Sequence, residues 1–235
     1  MRRGTQQDSE DRSPCLRGVI LDLDGLLIDS ETSSWQAHNA ALTANGERPL
    51  ALPEVRQLVG LSGNDEWQRL LTLRPLKVEP TVYAGAQEAA FKALRACQMR
   101  PLAGVDDLLA AVSRNELLLA LASNSGSSSI HETLAMLGMA DRFDAVISCQ
   151  DVARGKPAPD VYCLALARLG LRANQGVAVE DSNVGLAAAT AAGLRCLAVP
   201  NDLTATQDFS QAHRIFTDLH GVAAWLTMEA GQSVA

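Results

Sequence analysis

Short apolar runs alternate with helical patterns along most of this chain, and this alternation constrains its fold more than any other feature. The first run, at residues 18–24, has the continuous apolar character of a strand that is covered on both faces. Further runs lie at 117–122, 145–148, 176–179 and 195–199, with a weaker one at 214–216. Helical patterns separate them at 104–114, 127–137, 160–169, 184–192 and 219–228. This order predicts an α/β fold, a doubly wound parallel sheet with a Rossmann-like core.

A long helical stretch interrupts the alternation between the first strand and the second. Residues 30–100 show helical spacing without a convincing strand, and they are far too many for a structureless loop. We therefore expect an α-helical domain at 30–100, inserted into a core made of residues 15–29 and 101–235. The polar segment 1–14 has no apolar stretch behind its arginines and is expected to be a disordered tail.

Charge and composition exclude several classes of partner. The net charge is −7, and no cluster of Lys or Arg stands out, which argues against nucleic acid. No apolar run approaches the roughly 20 residues that span a bilayer, so no membrane partner is expected. The five cysteines are scattered singly, which is typical of small buried hydrophobic residues in a reducing cytosol. We expect a soluble, cytoplasmic protein that is a monomer.

Polar side chains follow the predicted strands at the points where the strands end. Since the carboxyl ends of parallel strands meet at one edge of the sheet, these side chains should converge on a ligand site there. Three strands and the loop after the third strand contribute the following residues: Asp22 and Asp24, Ser123 and Asn124, Lys156, and Glu180 and Asp181.

The charges of this set require a counter-ion. Four carboxylates within several ångströms repel one another by roughly 4 kcal/mol per close pair at an effective dielectric constant near 20. Lys156 alone cannot neutralise four carboxylates, but a divalent cation can. An all-oxygen donor set indicates Mg²⁺, which commonly takes substrate phosphate as a further ligand. The sequence therefore predicts a magnesium site that binds a small phosphorylated substrate.

Four segments resemble, in order and spacing, the motifs of the haloacid dehalogenase-like hydrolase superfamily. The segments are DLDGLLIDS at 22–30, SN at 123–124, GKP at 155–157 and EDSNVG at 180–185. The resemblance covers about residues 17–225 and is closest to the β-phosphoglucomutase/phosphatase branch, which carries a helical cap after the first motif. It implies a Mg²⁺-dependent phosphoric monoester hydrolase with a cap at 30–100.

The resemblance also implies roles for individual residues. Asp22 would be the nucleophile that forms an aspartyl-phosphate. Asp24 would protonate the leaving oxygen, activate water and bind the metal through its backbone carbonyl, while Lys156 would balance charge. The other implied roles are metal binding by Asp22 and Asp181, Glu180 as a metal ligand or as an acceptor beside it, and phosphate or substrate binding by Ser123, Asn124 and Gly25. Glu31 lies at the hinge into the cap and either orients substrate or starts a helix.

Activities within the superfamily are separated by a few positions. Dehalogenases lack the second aspartate of the first motif, so Asp24 favours phosphate chemistry. Phosphoglucomutases of this branch carry a cap histidine and a cap arginine where this chain has Ser34 and Gly63. Hydrolysis is therefore favoured, and a phosphosugar mutase is the alternative, in which His38, one helical turn after Ser34, would substitute. Trp35, His38 and Trp67 otherwise fit a cap core or cap surface.

Two functions of other classes remain to be separated by experiment. A phospho-signalling receiver also combines clustered acids with a lysine, but it has no reason to carry a cap of seventy residues. A protein that binds a sugar phosphate without turnover is the other possibility. A sugar phosphate, a phosphoglycolate-like acid and a nucleotide all remain open as the bound metabolite.

Overall fold

The computed structural model of the protein describes residues 15–61 and 63–231, and a parallel six-stranded sheet lies at its centre. The strands are β1 (Gly18–Leu21), β2 (Leu118–Ser123), β3 (Ala145–Ser148), β4 (Gly176–Glu180), β5 (Arg195–Ala198) and β6 (Arg214–Ile215). They lie in the order β3-β2-β1-β4-β5-β6, and each neighbouring pair is parallel. The predicted doubly wound α/β fold is confirmed. The predicted tail at 1–14 lies outside the described residues.

Helices separate the strands along the chain. They are α1 (Ser30–Ala44), α2 (Leu52–Val55), α3 (Gly63–Leu73), α4 (Pro80–Gln98), α5 (Val105–Arg114), α6 (Ser127–Met136), α7 (Asp160–Leu169), α8 (Asn183–Ala191) and α9 (Leu219–Gly231). Side chains alternate across β1, so that Val19 and Leu21 pack with α5 and α9, and Ile20 packs with α7 and α8 on the other face. Both faces of the sheet are therefore covered, which explains its continuous apolar strands.

The predicted elements agree with the structure except at a few ends. β1 ends at Leu21 rather than near residue 24, because the chain turns after Asp22 and Gly25 has a φ of +81°. Helix α9 continues to Gly231, beyond the predicted end at 228. The turn lifts Asp24 out of the sheet while the Asp22 N–H still donates to the Val179 carbonyl at 3.1 Å.

Helices α1–α4, called here the inserted helices, lie between β1 and α5 and have an apolar cluster of their own. Its buried members come from these helices and the loops between them, with one residue from the loop after β5: Ala41, Leu42, Leu50, Val55, Leu58, Val59, Leu70, Tyr83 and Leu203. The chain segment that leads from β1 into α1 pairs with the segment that returns from α4 to the core. Leu102 N–H donates to Leu27 O at 2.9 Å, and Ile28 forms a β-bridge with Pro101. That residues 30–100 form a separate domain stays a prediction.

Two composition-based expectations can be compared with the structure. Within the described residues, no helix has both the length and the apolar character needed to cross a bilayer. The expectation of buried cysteines holds for Cys196 but is wrong for Cys15, Cys97 and Cys163, which are exposed, and Cys149 is intermediate. These thiols lie at the surface because they fall on the solvent side of loops and helices, which spacing alone did not reveal.

Helix α8 approaches the end of β4 so closely that only glycine fits at one position. A Cβ built on Gly185 would lie 2.0 Å from the carboxylate of Glu180. Glu180 is fully buried and held by Lys156 and Tyr162, so it cannot move aside. Gly85 in α4 offers a matched comparison, because a Cβ there meets nothing within 4 Å.

We expect opposite effects of Gly→Ala at these two helical positions on the free energy of unfolding, measured by urea denaturation. Gly185→Ala should lower it by about 1–3 kcal/mol, because the methyl group overlaps a carboxylate that cannot relax. Gly85→Ala should raise it by about 0.5–1 kcal/mol, the difference between glycine and alanine in an open helical position. Equal stability of the two variants would contradict the close packing of α8 on Glu180.

Candidate active site

An ion pair between Lys156 and two carboxylates lies at the carboxyl edge of the sheet. The Lys156 ammonium Nζ is 2.6 Å from Asp22 Oδ1 and 2.6 Å from Glu180 Oε1. Asp22 directly follows β1, Glu180 ends the neighbouring strand β4, and Lys156 comes from the loop after β3. All three are more than nine-tenths buried. The predicted convergence of distant segments on one edge is therefore present.

The aromatic ring and hydroxyl of Tyr162 complete the surroundings of the lysine. Lys156 Nζ lies 5.1 Å from the ring centroid, within the range of a cation–π contact. The Tyr162 hydroxyl donates a hydrogen bond to the same Glu180 oxygen that receives Lys156. The ammonium is thus fixed by two carboxylates and one ring face.

The Asn124 side chain braces the loop that carries the lysine. Its Oδ1 accepts from the Lys156 backbone N–H at 2.8 Å, and its Nδ2 donates to the Lys156 carbonyl at 3.1 Å. A longer hydrogen bond of 3.5 Å joins Nδ2 to the carbonyl of Gly60, just before α3. These contacts occupy the amide, so the phosphoryl contact that the resemblance implies for Asn124 is left to its backbone N–H.

Two serine hydroxyls hold the second aspartate. Asp24 Oδ2 accepts from Ser123 Oγ at 3.2 Å and from Ser125 Oγ at 2.7 Å. The Ser123 hydroxyl in turn accepts from the Ser125 backbone N–H at 3.0 Å. Asp24 and Ser123 both line the same cavity as Asp22, so the predicted acid lies beside the predicted nucleophile.

Burial and crowded charge shift the pKa values of this group. Burial and the carboxylates of Glu180 and Asp24 together raise the pKa of Asp22 to about 7, against the opposing effect of the Lys156 ammonium. Burial, with the nearby carboxylates of Asp22 and Glu31, also raises the pKa of Asp181 well above its usual value. Burial alone would lower the pKa of Lys156, but the carboxylates of Asp22 and Glu180 raise it overall. The site is short of positive charge.

The side chains present fit a divalent cation. One oxygen each from Asp22, Glu180 and Asp181 lies within 4.8 Å of the others, and all three residues are buried. Glu180 Oε2 is a buried oxygen without a hydrogen-bond partner among the described residues. Three carboxylates and one ammonium leave the site short of positive charge, and a divalent cation would supply it. The donors are all oxygens, which is the ligand set that Mg²⁺ prefers. The Asp24 carboxylate does not belong to this group, so only its backbone carbonyl is left for the implied metal contact.

Gly25 lies behind the metal-binding group instead of beside the substrate. A Cβ on Gly25 would lie 2.2 Å from Asp181 Oδ2, and Asn201 Nδ2 donates both to the Gly25 carbonyl at 3.3 Å and to Asp181 Oδ2 at 2.8 Å. Gly25 lines a second cavity of about 400 Å³ that Asp22 and Lys156 do not line. The assignment of Gly25 to substrate binding is therefore not supported by its position, and the residue serves to let Asp181 approach.

The cavity over Asp22 has a volume of about 210 Å³, which suits a small metabolite. Its floor is the sheet edge with Asp22, Asp24 and Lys156, and the inserted helices supply the opposite wall. That wall includes these side chains: Glu31, Ser34, Trp35, His38, Glu66, Gln87 and Phe91. Burial, helped by nearby carboxylates, raises the pKa of Glu31 to about 8. Glu31 lies in the first turn of α1, which agrees with the predicted helix start, and it lines the cavity; its role in orienting substrate stays a prediction.

His38 is held at both ring nitrogens by residues of the inserted helices. Its Nδ1 lies 2.5 Å from the Tyr83 hydroxyl, and its Nε2 lies 2.9 Å from Glu66 Oε1. Trp67 packs on Tyr83 with ring centroids 5.1 Å apart. Trp35 and Trp67 pack against the apolar cluster of the inserted helices, as predicted. Trp35 and the buried His38 also line the cavity.

Three residues that hold the charged groups of the sheet edge were missing from the sequence analysis, as were Glu66, Gln87 and Phe91 of the cavity wall. Ser125 and Asn201 both follow strand ends, β2 and β5, so the same rule that identified Ser123 applies to them. Tyr162 lies in the first turn of α7, and no sequence signal separates it from an ordinary core tyrosine. Its role depends on the position of Glu180, which is known only from the folded chain.

Comparison with known proteins agrees with this geometry. A family model described as haloacid dehalogenase-like hydrolase matches residues 19–199, well over half of the chain. The chain is 33% identical over 195 residues to hexitol phosphatase B of Escherichia coli K12, covering 77% of this chain and 82% of that protein. It is 29% identical over 180 residues to fructose-1-phosphate phosphatase YqaB of the same organism, covering 75% and 93%.

A solved structure with a similar sequence also has a similar fold. The structure of CbbY from Rhodobacter sphaeroides in complex with xylulose-1,5-bisphosphate has a TM-score of 0.76 and 28% identity, covering 87% of this chain and 95% of that chain. The predicted enzyme class, a phosphoric monoester hydrolase, agrees with these named relatives and is confirmed. The chain belongs to the haloacid dehalogenase-like hydrolase family.

Proposed function

We propose that this protein is a Mg²⁺-dependent phosphatase that hydrolyses a small phosphorylated metabolite, a sugar phosphate or a similar compound, through an aspartyl-phosphate on Asp22. The observation that carries the proposal is the buried contact of Lys156 Nζ with Asp22 Oδ1, beside two further carboxylates and under a small cavity. Relatives named as a hexitol phosphatase and a fructose-1-phosphate phosphatase support the choice of a phosphorylated carbohydrate.

In the first step Asp22 attacks phosphorus. Lys156 engages Oδ1, which orients the carboxylate and leaves Oδ2 to form the new bond to phosphorus. As that bond forms, the bond from phosphorus to the ester oxygen breaks. Asp24 transfers a proton to that oxygen, and the alcohol departs.

In the second step water removes the phosphoryl group. Asp24, now a carboxylate, takes a proton from the water that attacks phosphorus. The acyl–phosphate bond breaks, inorganic phosphate leaves, and Asp22 is regenerated. Ser123 and Ser125 hold Asp24 in one orientation for both steps, because their hydroxyls donate to the same oxygen, Oδ2.

Lys156 and the carboxylates that would hold Mg²⁺ bring positive charge to the phosphoryl group. Asp22, Asp181 and Glu180, with the Asp24 carbonyl, would hold Mg²⁺, and the bound ion would supply positive charge that aligns the phosphoryl oxygens and neutralises them. Lys156 contributes a second positive charge, and Ser123 with the backbone N–H of Asn124 provides donors at the same edge. Phosphoryl transfer requires little more than such alignment and neutralisation.

The inserted helices act as a cap that excludes bulk water during the reaction. Besides the apolar contact of Leu203, hydrogen bonds join them to the core at three points in the described structure. Asn124 reaches the Gly60 carbonyl, Arg56 donates to the Asp202 carbonyl at 3.2 Å, and Arg95 donates to Ser129 Oγ at 2.5 Å. These contacts support a closed arrangement over Asp22.

Hydrolysis is favoured over phosphosugar mutation, the alternative reaction on the same core. Ser34 faces the cavity but is a poor proton relay, and Gly63, the first residue of α3, brings no cation for a second phosphate. His38 is engaged at both ring nitrogens by Tyr83 and Glu66, which does not suit it to relay a proton to substrate. Isomerisation of a glucose 1-phosphate in the presence of a bisphosphate activator would favour the mutase instead.

We further propose that the protein is a cytoplasmic monomer and that it binds neither nucleic acid nor membrane.

Asp22→Asn tests the nucleophile directly. Because the amide cannot form an acyl phosphate, we expect Mg²⁺-dependent release of phosphate from p-nitrophenyl phosphate to fall by at least about 1,000-fold. Asp141→Asn, which changes an exposed aspartate away from the cavity, should leave the rate unchanged. Full activity of folded Asp22→Asn would refute the mechanism, and no turnover of any phosphoester by the wild type would favour a binding protein.

Asp24→Asn separates the two chemical steps. The p-nitrophenolate group leaves without a proton, so the first step should survive in this variant while hydrolysis of the acyl phosphate lacks its base. We expect a burst of about one p-nitrophenolate per enzyme followed by slow turnover, measured by stopped-flow absorbance. Loss of both the burst and the steady state would show that Asp24 is needed for the first step even with this leaving group.

Metal binding can be measured without any turnover. Mg²⁺ at about 100 times its Kd should stabilise the wild type by about 2.7 kcal/mol, because it binds the folded carboxylate group and not the unfolded chain. Asp181→Asn should lose most of that gain in a thermal unfolding experiment, and Asp141→Asn should retain it. A gain of equal size in Asp181→Asn would place the metal elsewhere.

A further inference from the structure

We propose that Glu31 and Glu66 make this enzyme selective for the phosphate ester of an uncharged polyol and exclude substrates that carry a second phosphate or a carboxylate. The inference rests on the proposed phosphatase function and specifies its substrate class. The two residues are specificity-determining: they contact the part of the substrate that does not react.

The charge of the cavity is the first argument. Its described lining carries five carboxylates, from Asp22, Asp24, Glu31, Glu66 and Asp181, and a single cation, Lys156. That cation already pairs with Asp22 and Glu180, and with the metal it serves the phosphoryl group that is transferred. A second anionic group would therefore meet carboxylates without a counter-charge.

The arginines of the inserted segment do not correct this deficit, since they are engaged elsewhere. The six arginines and their acceptors are as follows: Arg48 to Glu54, Arg56 to the Asp202 carbonyl, Arg69 to Gln57, Arg74 to the Arg48 carbonyl, Arg95 to Ser129 and Glu132, and Arg100 to the Met99 carbonyl. None of them lines the described cavity. Residues 62–64, between the cavity residue Leu61 and the rest of α3, are Ser, Gly and Asn and carry no charge.

The two carboxylates on the wall have no part in the proposed chemistry. Asp22, Asp24 and Asp181 act on phosphorus, on the leaving oxygen and on the metal, whereas Glu31 and Glu66 come from α1 and α3. Glu66 is fixed by His38, which is fixed by Tyr83, so its carboxylate is held in place instead of swinging into solvent. Within the described chain, the carboxylate of Glu31 has no hydrogen-bond partner, which leaves it to accept from a ligand.

The remaining wall matches the alternating C–H and O–H surface of a polyol. Ser34 and Gln87 add a hydroxyl and an amide that can both donate and accept. The Trp35 indole N–H is already donated to the Leu50 carbonyl at 3.2 Å, so its ring, like that of Phe91, offers only an apolar face to the ligand. Hydroxyls for the carboxylates and C–H groups for the rings together describe an uncharged sugar or sugar alcohol.

Matched substrates that differ by one charged group test the inference. sn-Glycerol 1-phosphate and 3-phospho-D-glycerate share one configuration and differ in a hydroxymethyl group against a carboxylate, and fructose 1-phosphate and fructose 1,6-bisphosphate differ in one phosphate. At about pH 9, where Glu31 with its pKa of about 8 is ionised, we expect kcat/KM to favour the neutral member of each pair by at least about 100-fold, because like charges are juxtaposed in the other. p-Nitrophenyl phosphate, assayed alongside, reports the core chemistry alone.

Isosteric variants then assign the selectivity to the two carboxylates. Glu66→Gln and Glu31→Gln should each reduce the ratio of kcat/KM for the neutral member to kcat/KM for the charged member by about tenfold or more. The change should come chiefly from a lower KM for the charged member. Glu88→Gln, which removes an exposed carboxylate from α4, should leave the preference and the p-nitrophenyl phosphate rate unchanged. A change in the ratio of two substrates is not expected from a purely structural defect.

The outcomes are distinguishable from failure of the proposed function. Absence of turnover on every phosphoester, including p-nitrophenyl phosphate, refutes the phosphatase itself. Turnover of p-nitrophenyl phosphate with equal or greater kcat/KM for the charged members refutes only the selectivity. A clear preference for phosphoethanolamine over sn-glycerol 1-phosphate would also overturn it, since the acidic wall would then serve a cation.

Discussion

The ammonium of Lys156 lies between the buried carboxylates of Asp22 and Glu180, and the rest of the site depends on this interaction. A buried charge is costly unless it is paired, and removal of one partner leaves the other uncompensated. The surrounding structure keeps the pair together: Tyr162 contacts both Lys156 and Glu180, and the amide of Asn124 holds the lysine loop. With Asp181 added, one cation serves three carboxylates, and the electrostatics favour both a dication and an anionic phosphoryl group.

The topology of the sheet makes this arrangement possible. β1 is central, with β2 on one side and β4 on the other, and the strand order reverses there. The residues that end these strands, or follow them, therefore meet at one edge although they are far apart in sequence. The inserted helices then leave and rejoin the core beside that edge through the paired residues Ile28 and Pro101. The core thus carries the chemistry, and the inserted helices form the wall that faces the rest of the substrate.

Prediction from sequence located residues well where their position follows from their place on or after a strand. Buried strands have continuous apolar runs, so their ends could be located to within about three residues; Asp22 and Asp181 follow such ends directly, and Lys156 lies in the loop after β3. It was less successful where a role depends on a neighbour in space. Asn124 fits a phosphate ligand by position, but in the structure its side chain binds the backbone of Lys156. Gly25 belongs to the first motif, yet it packs behind Asp181.

The sequence by itself determined the α/β core, the length of the inserted helical segment and the set of side chains available for phosphoryl transfer. These follow from local patterns: apolar periodicity, chain length between strands, and polar residues at strand ends. Only the tertiary structure decided that Tyr162 and Glu180 share a hydrogen bond, that His38 is tied to Glu66 and Tyr83, and that acids line the far wall of the cavity. Each of these depends on how helices separated by dozens of residues pack against one another, and a linear pattern does not contain that information.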